Sequence, residues 1–291
     1  MKIGVNLLVH SPAGPQGALL TSGAAIAIRS LAESDIMKHD VRFVVVDNGS
    51  GDSSYPRWRA NLHRWPTIKH LKFVSTGSPT SFSRARNIGY ETMHYQHGSW
   101  DLFLEFDVDN VFPAVWFDPL LAALKAYPKA GIFSPGMIMS DHWHPKREQT
   151  MHVDYAAMHY SQIRHAVNLE AERCRKLYAG RVGLVRHPPV LKRAACLRAA
   201  GLYDEEFQGG GWEDWDENLR VLKAGWEVRT FLDSFVFHWT SWEHVVLGGW
   251  QSPGGGVPSR DRYFGKWPNS LEYYKGYLGE RDKLYYLAPD G

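Results

Sequence analysis

Asp107-Val108-Asp109 sets two carboxylates two residues apart, directly after the apolar run Leu102-Phe103-Leu104-Glu105-Phe106. The run reads as a buried strand, so the pair stands at a strand's carboxyl end. Carboxylates left unpaired there repel each other and are costly to desolvate. Together they offer hard oxygen ligands to a divalent cation. In an α/β sheet that edge is also where ligands bind. Asp-x-Asp is a common spacing, and its meaning depends on what else falls beside it.

Four further segments carry chemistry-bearing residues. Asp47 closes an apolar run and opens Asp47-Asn48-Gly49-Ser50. Its carboxylate can accept a hydrogen bond from a nucleobase imide or a ribose hydroxyl. The same four residues also suit a plain turn. Arg84 and Arg86 lie at the start of a helix in Ser83-Arg84-Ala85-Arg86-Asn87-Ile88-Gly89. At i, i+2 they do not share a helix face. One can therefore reach a diphosphate or base while the other stays solvated. In Gly209-Gly210-Gly211-Trp212-Glu213-Asp214-Trp215-Asp216 the glycines permit close backbone approach, and carboxylates then open a helix. Asp214 there suits a general base, with helix capping as the simpler role. His238 ends the run Phe235-Val236-Phe237. A neutral imidazole suits Mn²⁺-type ions, and His238 gains weight only in combination with Asp109.

The elements that position these residues alternate in the first half. Residues 2–9, 41–46, 70–75 and 101–106 read as strands, with helices over 22–31 and 81–96 between them. Such alternation predicts an α/β fold, a mostly parallel sheet covered on both faces. Right-handed crossovers then put the strands' carboxyl ends on one edge, with Asp47 and Asp107 both on it. The second half predicts helices over 117–126, 193–200 and 213–224, the last closed by Gly225. A long amphipathic helix over 154–177 falls within an insertion. Short strands are expected over 131–134, 190–192, 226–232 and 235–238. From Ser241 the chain is rich in Gly, Pro, Trp and Tyr, as in loops that cover sites.

At 291 residues, one large domain, or one domain with an insertion, is the expected size. The net charge of +2 gives no global argument for nucleic acid or membrane. Arg57, Arg59, Arg64 and Lys69 read as a solvated face. Cys174 and Cys196 make no disulfide framework, so a reducing compartment is expected. The amino-terminal residues lack the apolar length of a signal peptide or membrane anchor. A cytoplasmic protein without a transmembrane segment is the expectation. Twelve Trp and 14 His are high counts, and an indole packs either in a core or on a sugar face. Asp141-His142-Trp143-His144 reads as a surface loop rather than a second metal site.

In combination these segments resemble glycosyltransferases of the GT-A fold, family two in particular. Val44-Val45-Val46-Asp47-Asn48-Gly49-Ser50-Gly51-Asp52 resembles their nucleotide-binding strand and turn. Ala85-Arg86-Asn87-Ile88-Gly89 is similar to their Ala-Arg-Asn-x-Gly segment, and Asp107-Val108-Asp109 to their metal motif. Pro189-Val190-Leu191-Lys192-Arg193 and Gly201-Leu202-Tyr203-Asp204-Glu205-Glu206-Phe207 resemble the stretch before their Glu-Asp motif. Glu213-Asp214, with Leu219-Arg220 and Ala224-Gly225, resembles that motif and its helix. Tyr263-Phe264-Gly265-Lys266-Trp267 resembles a tail of some members. The order of the segments is more specific than any one of them.

The resemblance implies a Rossmann-like GT-A catalytic domain over 1–240. Residues 1–110 would form its nucleotide half and 111–240 its acceptor half, with an insertion over 137–181. Residues 241–291 would form a lid and tail. It implies transfer of a sugar from a UDP- or GDP-sugar to an acceptor hydroxyl. Asp109 would ligate Mn²⁺ or Mg²⁺, His238 would complete the set, and Asp107 would serve the ribose or the ion. Asp47 would read the base, and Arg86 or Arg84 would meet base or phosphate. Asp214 would take the acceptor proton, giving inversion, and Glu213 would orient hydroxyls. Trp212 and Trp215 would be sugar platforms, and Asp216 a second candidate base. Polypeptide N-acetylgalactosaminyltransferases, retaining members of the fold, also resemble this chain, with Asp214 at their Asn position. The acceptor stays open among a glycan, a lipid-linked sugar, a small molecule, a protein and a modified DNA base. The rival classes are a sugar-nucleotide nucleotidyltransferase, which would carry a basic Gly-rich loop after the first strand, and a non-catalytic sugar-binding module.

Overall fold

The computed structural model describes residues 1–10, 15–51, 67–140, 150–151, 158–183, 189–207, 212–239 and 257–270. Apolar runs become strands in the first half: β1 (Lys2–Val9), β2 (Asp40–Asp47), β3 (His70–Ser75) and β4 (Leu102–Phe106). All pair in parallel, in the order β3-β2-β1-β4. Crossovers through helices α1 (Pro15–Ala32) and α2 (Phe82–Thr92) make this parallel order possible. The Ser81 side chain caps α2 by accepting from the Arg84 amide at 3.2 Å. Val9 pairs with Asp47 and Leu7 with Phe106, so Asp47 and the residues after β4 share one sheet edge, as the alternation predicts.

Beyond β4 the sheet continues β9-β6-β10-β5. Here β5 is Asn110–Val111, β6 is Ala130–Ser140, β9 is Val190–Arg193 and β10 is Glu227–His238. Two short strands, β7 (Thr150–Met151) and β8 (Val182–Gly183), pair with β6 and β10. Strand β9 runs antiparallel to both of its neighbours, which makes the sheet mixed around a mainly parallel frame. The strands expected over 226–232 and 235–238 are one strand, β10, with a register shift between Phe231 and Phe235. At that bulge Asp233 Oδ1 accepts from the Gly180 amide at 3.0 Å. Strand β6 is likewise far longer than the 131–134 expected, because its pairing with β10 extends to Met139.

The remaining helices are α3 (Phe117–Leu124), α4 (Tyr160–Tyr178), α5 (Ala194–Ala200), α6 (Glu213–Lys223) and α7 (Val257–Lys266). Helix α4 buries Ile163, Val167, Ala171, Cys174 and Tyr178, a single stripe, against Phe235 and Phe237 of β10. Gly225 follows α6 at φ +82°, the left-handed geometry expected of a C′ glycine. Helix α7 falls where the sequence suggested only loop and tail. It packs Tyr263 into the cluster beneath α6. Among the described residues, no helix is long and apolar enough to cross a membrane.

Candidate metal and nucleotide site

Strand β4 ends at Phe106, and the chain turns at once. The Asn110 amide donates to the Asp107 carbonyl at 3.1 Å, and the Asp107 amide to Asn110 Oδ1 at 3.0 Å. This closed turn feeds β5, which pairs antiparallel with the end of β10 so that Asn110 faces His238. The Trp239 amide donates to the Asp109 carbonyl at 2.9 Å. Backbone pairing alone therefore brings together residues 129 positions apart. The imidazole Nε2 of His238 lies 3.2 Å from Asp109 Oδ1. One ligand atom each from Asp107, Asp109 and His238 falls within a 4.8 Å cluster.

The electrostatics fit a cation. Burial drives the Asp107 carboxyl up to about 6, and neighbouring Asp109 adds to this against the pull of Arg86. Burial alone would lower the His238 pKa, but the Asp109 and Asp107 charges outweigh it and raise it. Two oxygens and one imidazole nitrogen form a mixed donor set that suits Mn²⁺.

The two arginines diverge, as their spacing requires. Arg84 is exposed and pairs with Glu91 and Glu205 at 3.1 and 3.0 Å. Arg86 is fully buried behind the turn. Its guanidinium binds the Asp107 carboxylate, donates to the Asn6 carbonyl at 3.0 Å and the Phe106 carbonyl at 3.2 Å, and lies 3.6 Å from Glu105. Asp47 is buried at the end of β2 and accepts from the Ser50 amide at 3.1 Å, so one oxygen serves the turn. That turn needs Gly49, at φ +67°, where an added Cβ would sit 2.3 Å from the Pro79 nitrogen.

On α6, Glu213 is buried and Asp214 half-buried, with Asp214 Oδ1 accepting from the Trp215 amide at 2.8 Å. Trp212 takes a left-handed backbone, φ +76°, and stacks 5.2 Å from both Tyr263 and Phe264 of α7. Trp215 packs against the same cluster. Asp216 is fully buried and clamps α6 to α7, meeting Arg220 at 2.8 Å, Lys266 at 2.7 Å and the Trp267 indole at 2.8 Å. The structure thus brings Asp107, Asp109 and His238 into one cluster and places Asp216 and Trp212 in helix-to-helix contacts. Gly209–Gly211, the stretch 241–256, Asp141–His144 and Arg57, Arg59 and Arg64 lie outside the described residues.

No protein-family model and no curated protein matches the chain. Solved structures do. GalNAc-T7 with UDP, GalNAc and Mn²⁺ is similar at a TM-score of 0.61 and 15% identity, over 94% of this chain and 50% of that one. TarS 1–349 of S. aureus in complex with UDP gives 0.52 and 15%, over 97% and 74%. The mannosyltransferase PcManGT of Pyrobaculum calidifontis with GDP-Man and Mn²⁺ gives 0.51 and 14%, over 96% and 76%. The fold is the GT-A fold. This chain spans half the length of GalNAc-T7.

Within the GT-A frame, sequence reasoning passed over Glu105, Lys192 and Glu217. All three are buried, and Lys192 joins the two glutamates: its Nζ lies 3.1 Å from Glu105 and 2.7 Å from Glu217. The available signal was a charged residue inside each of two apolar strands, Leu-Phe-Leu-Glu-Phe and Val-Leu-Lys. A charge is rarely buried without a partner.

Proposed function

We propose that the chain is a metal-dependent glycosyltransferase acting on a UDP- or GDP-sugar and an acceptor hydroxyl. The observation that carries this reading is the Asp107–Asp109–His238 cluster, at the carboxyl edge of a GT-A sheet and beside the Asp47 turn. The solved structures it resembles were determined with UDP or GDP-Man, two of them with Mn²⁺. Asp107, Asp109 and His238 would hold Mn²⁺ or Mg²⁺, which supplies Lewis-acid stabilisation of a departing diphosphate.

The chain's own residues do the rest. Asp47 orients the base or ribose. Arg86 fixes the Asp107 carboxylate from behind. Asp214 accepts the acceptor proton while the acceptor oxygen bonds to the anomeric carbon. The bond from that carbon to the diphosphate breaks, and its electron pair leaves with the diphosphate. Attack from the opposite face inverts the centre. Glu213 orients hydroxyls, and Trp212 and Trp215 wall the sugar side. Residues 1–240 make up the catalytic unit.

Nucleoside diphosphate release from a panel of UDP- and GDP-sugars, with Mn²⁺ and with chelator, tests the reading. Metal-dependent release from at least one donor is expected, and no release from any would refute it. Anomeric configuration of the product, read by NMR, separates inversion from the retaining alternative.

A further inference from the structure

Behind the metal cluster, charged groups alternate in sign through the core. Asp107 meets Arg86, and Arg86 lies 3.6 Å from Glu105. Lys192 Nζ lies 3.1 Å from Glu105 and 2.7 Å from Glu217. Arg86 and Lys192 are fully buried, Glu105 is 1% exposed and Glu217 4%. Two tyrosines complete the shell. The Tyr90 and Tyr203 hydroxyls each donate to Glu105 at 2.7 Å, and Lys192 donates to the Tyr203 oxygen at 3.0 Å. An ion network this deep is weak evidence for stability, because apolar side chains of similar volume often serve as well or better.

What the network does offer is direction. Glu217 lies on α6 four residues after Glu213, so the two share one buried helix face. Lys192 lies on β9, the strand between β4 and β6. Holding Glu105 and Glu217 at once, its ammonium ties the strand that leads into Asp107 to the helix that begins with Glu213-Asp214. Rotation of α6 about its axis would break the 2.7 Å contact to Glu217 and swing Asp214 with it.

We infer that Lys192 is a positioning residue of the proposed transfer reaction, setting the orientation of the Glu213–Asp214 helix relative to the metal cluster through Glu105 and Glu217. The inference rests on the glycosyltransferase reading. It assigns Lys192 to turnover rather than to donor binding, because its 2.7 Å contact to Glu217 runs to the helix that carries Asp214.

The test compares wild type, Lys192→Arg, and the charge-neutral double variant Lys192→Met/Glu217→Gln. The double variant removes one charge of each sign and leaves Glu105 with Arg86 and both tyrosines, and its circular dichroism spectrum should match that of wild type. The expected result is UDP·Mn²⁺ binding within about threefold of wild type, with kcat for nucleoside diphosphate release lowered about 10- to 100-fold. Lys192→Arg should recover part of that loss. A folded double variant with wild-type kcat overturns the inference, as does a loss confined to KM. If the wild type releases no nucleoside diphosphate from any donor, the functional reading fails and amide exchange decides the positioning. Exchange over Glu213–Lys223 should be faster in the double variant, with α2 unchanged, and equal exchange there overturns it.

Discussion

Asp109→Asn keeps the shape of the side chain and removes its charge. Calorimetric titration should show Mn²⁺ binding weakened by at least about 100-fold, the upper end of what losing even an outer partner of a metal ligand costs. Metal-free stability is expected to hold, since one of two repelling carboxylates has become neutral. Undiminished Mn²⁺ affinity would remove Asp109 from the ligand set. Asp214→Asn addresses the other half of the chemistry. Donor binding should persist while kcat falls about 10²- to 10⁴-fold, the range set by general-base catalysis. Unchanged turnover would transfer that role to another group. Asp216 is the poorer candidate for it, because its oxygens are already engaged by Arg220, Lys266 and Trp267.

At the scale of elements, α2 crosses β1 closely. A Cβ added at Gly89 would lie 2.0 Å from Asn6 Oδ1, and Asn6 is itself fully buried. Gly89→Ala should therefore cost about 1–3 kcal/mol in denaturant unfolding by forcing that side chain to move. An unchanged midpoint would mean that α2 can lift off β1 freely. Much of this level was legible in the sequence. Apolar runs marked β1, β2 and β4, because a strand buried on both faces needs little else, while β3 is a half-exposed edge strand. The unity of β10 was hidden: Asp233 and Ser234 look like a break, yet a bulge absorbs them. Helix α7 was hidden for a different reason. It is held by ion pairs from Arg262 and Lys266 to Asp204, a partner far away in sequence. Local pattern carries no record of such a contact. At the site, Asp107, Asp109 and His238 were readable as residue types. The burial of Arg86 behind Asp107 was not, since only the register of β4 beside β1 places it there.

Across the whole molecule, Asp204 links α7 to the rest. Burial would raise its pKa, but hydrogen bonds from Lys266, Arg262 and the Glu206 amide hold it at about 2, against 3.8 ordinarily. A carboxyl depressed on folding stabilises the fold above its unfolded pKa and loses that contribution as pH falls through the folded value. The contribution, on the order of 2 kcal/mol, should thus be complete above pH 4 and fade between about pH 4 and pH 2. Melting curves of wild type and Asp204→Asn should accordingly differ at pH 6 and converge toward pH 2.5. A gap independent of pH would show that the Asp204 charge does not hold α7.

Strand β9 also governs when β4 and β6 can join. Among the described residues it alone joins β4 to β6 in the sheet, and it lies 84 residues after β4 in the chain. Until Arg193 has left the ribosome, the early strands and β6 have no common partner. A nascent chain halted at residue 180 would carry two unjoined strand edges, available to chaperones or to other chains. Extension far enough for Val190–Arg193 to clear the ribosome should let β4 and β6 join through β9, a step that force-sensitive translational arrest would time.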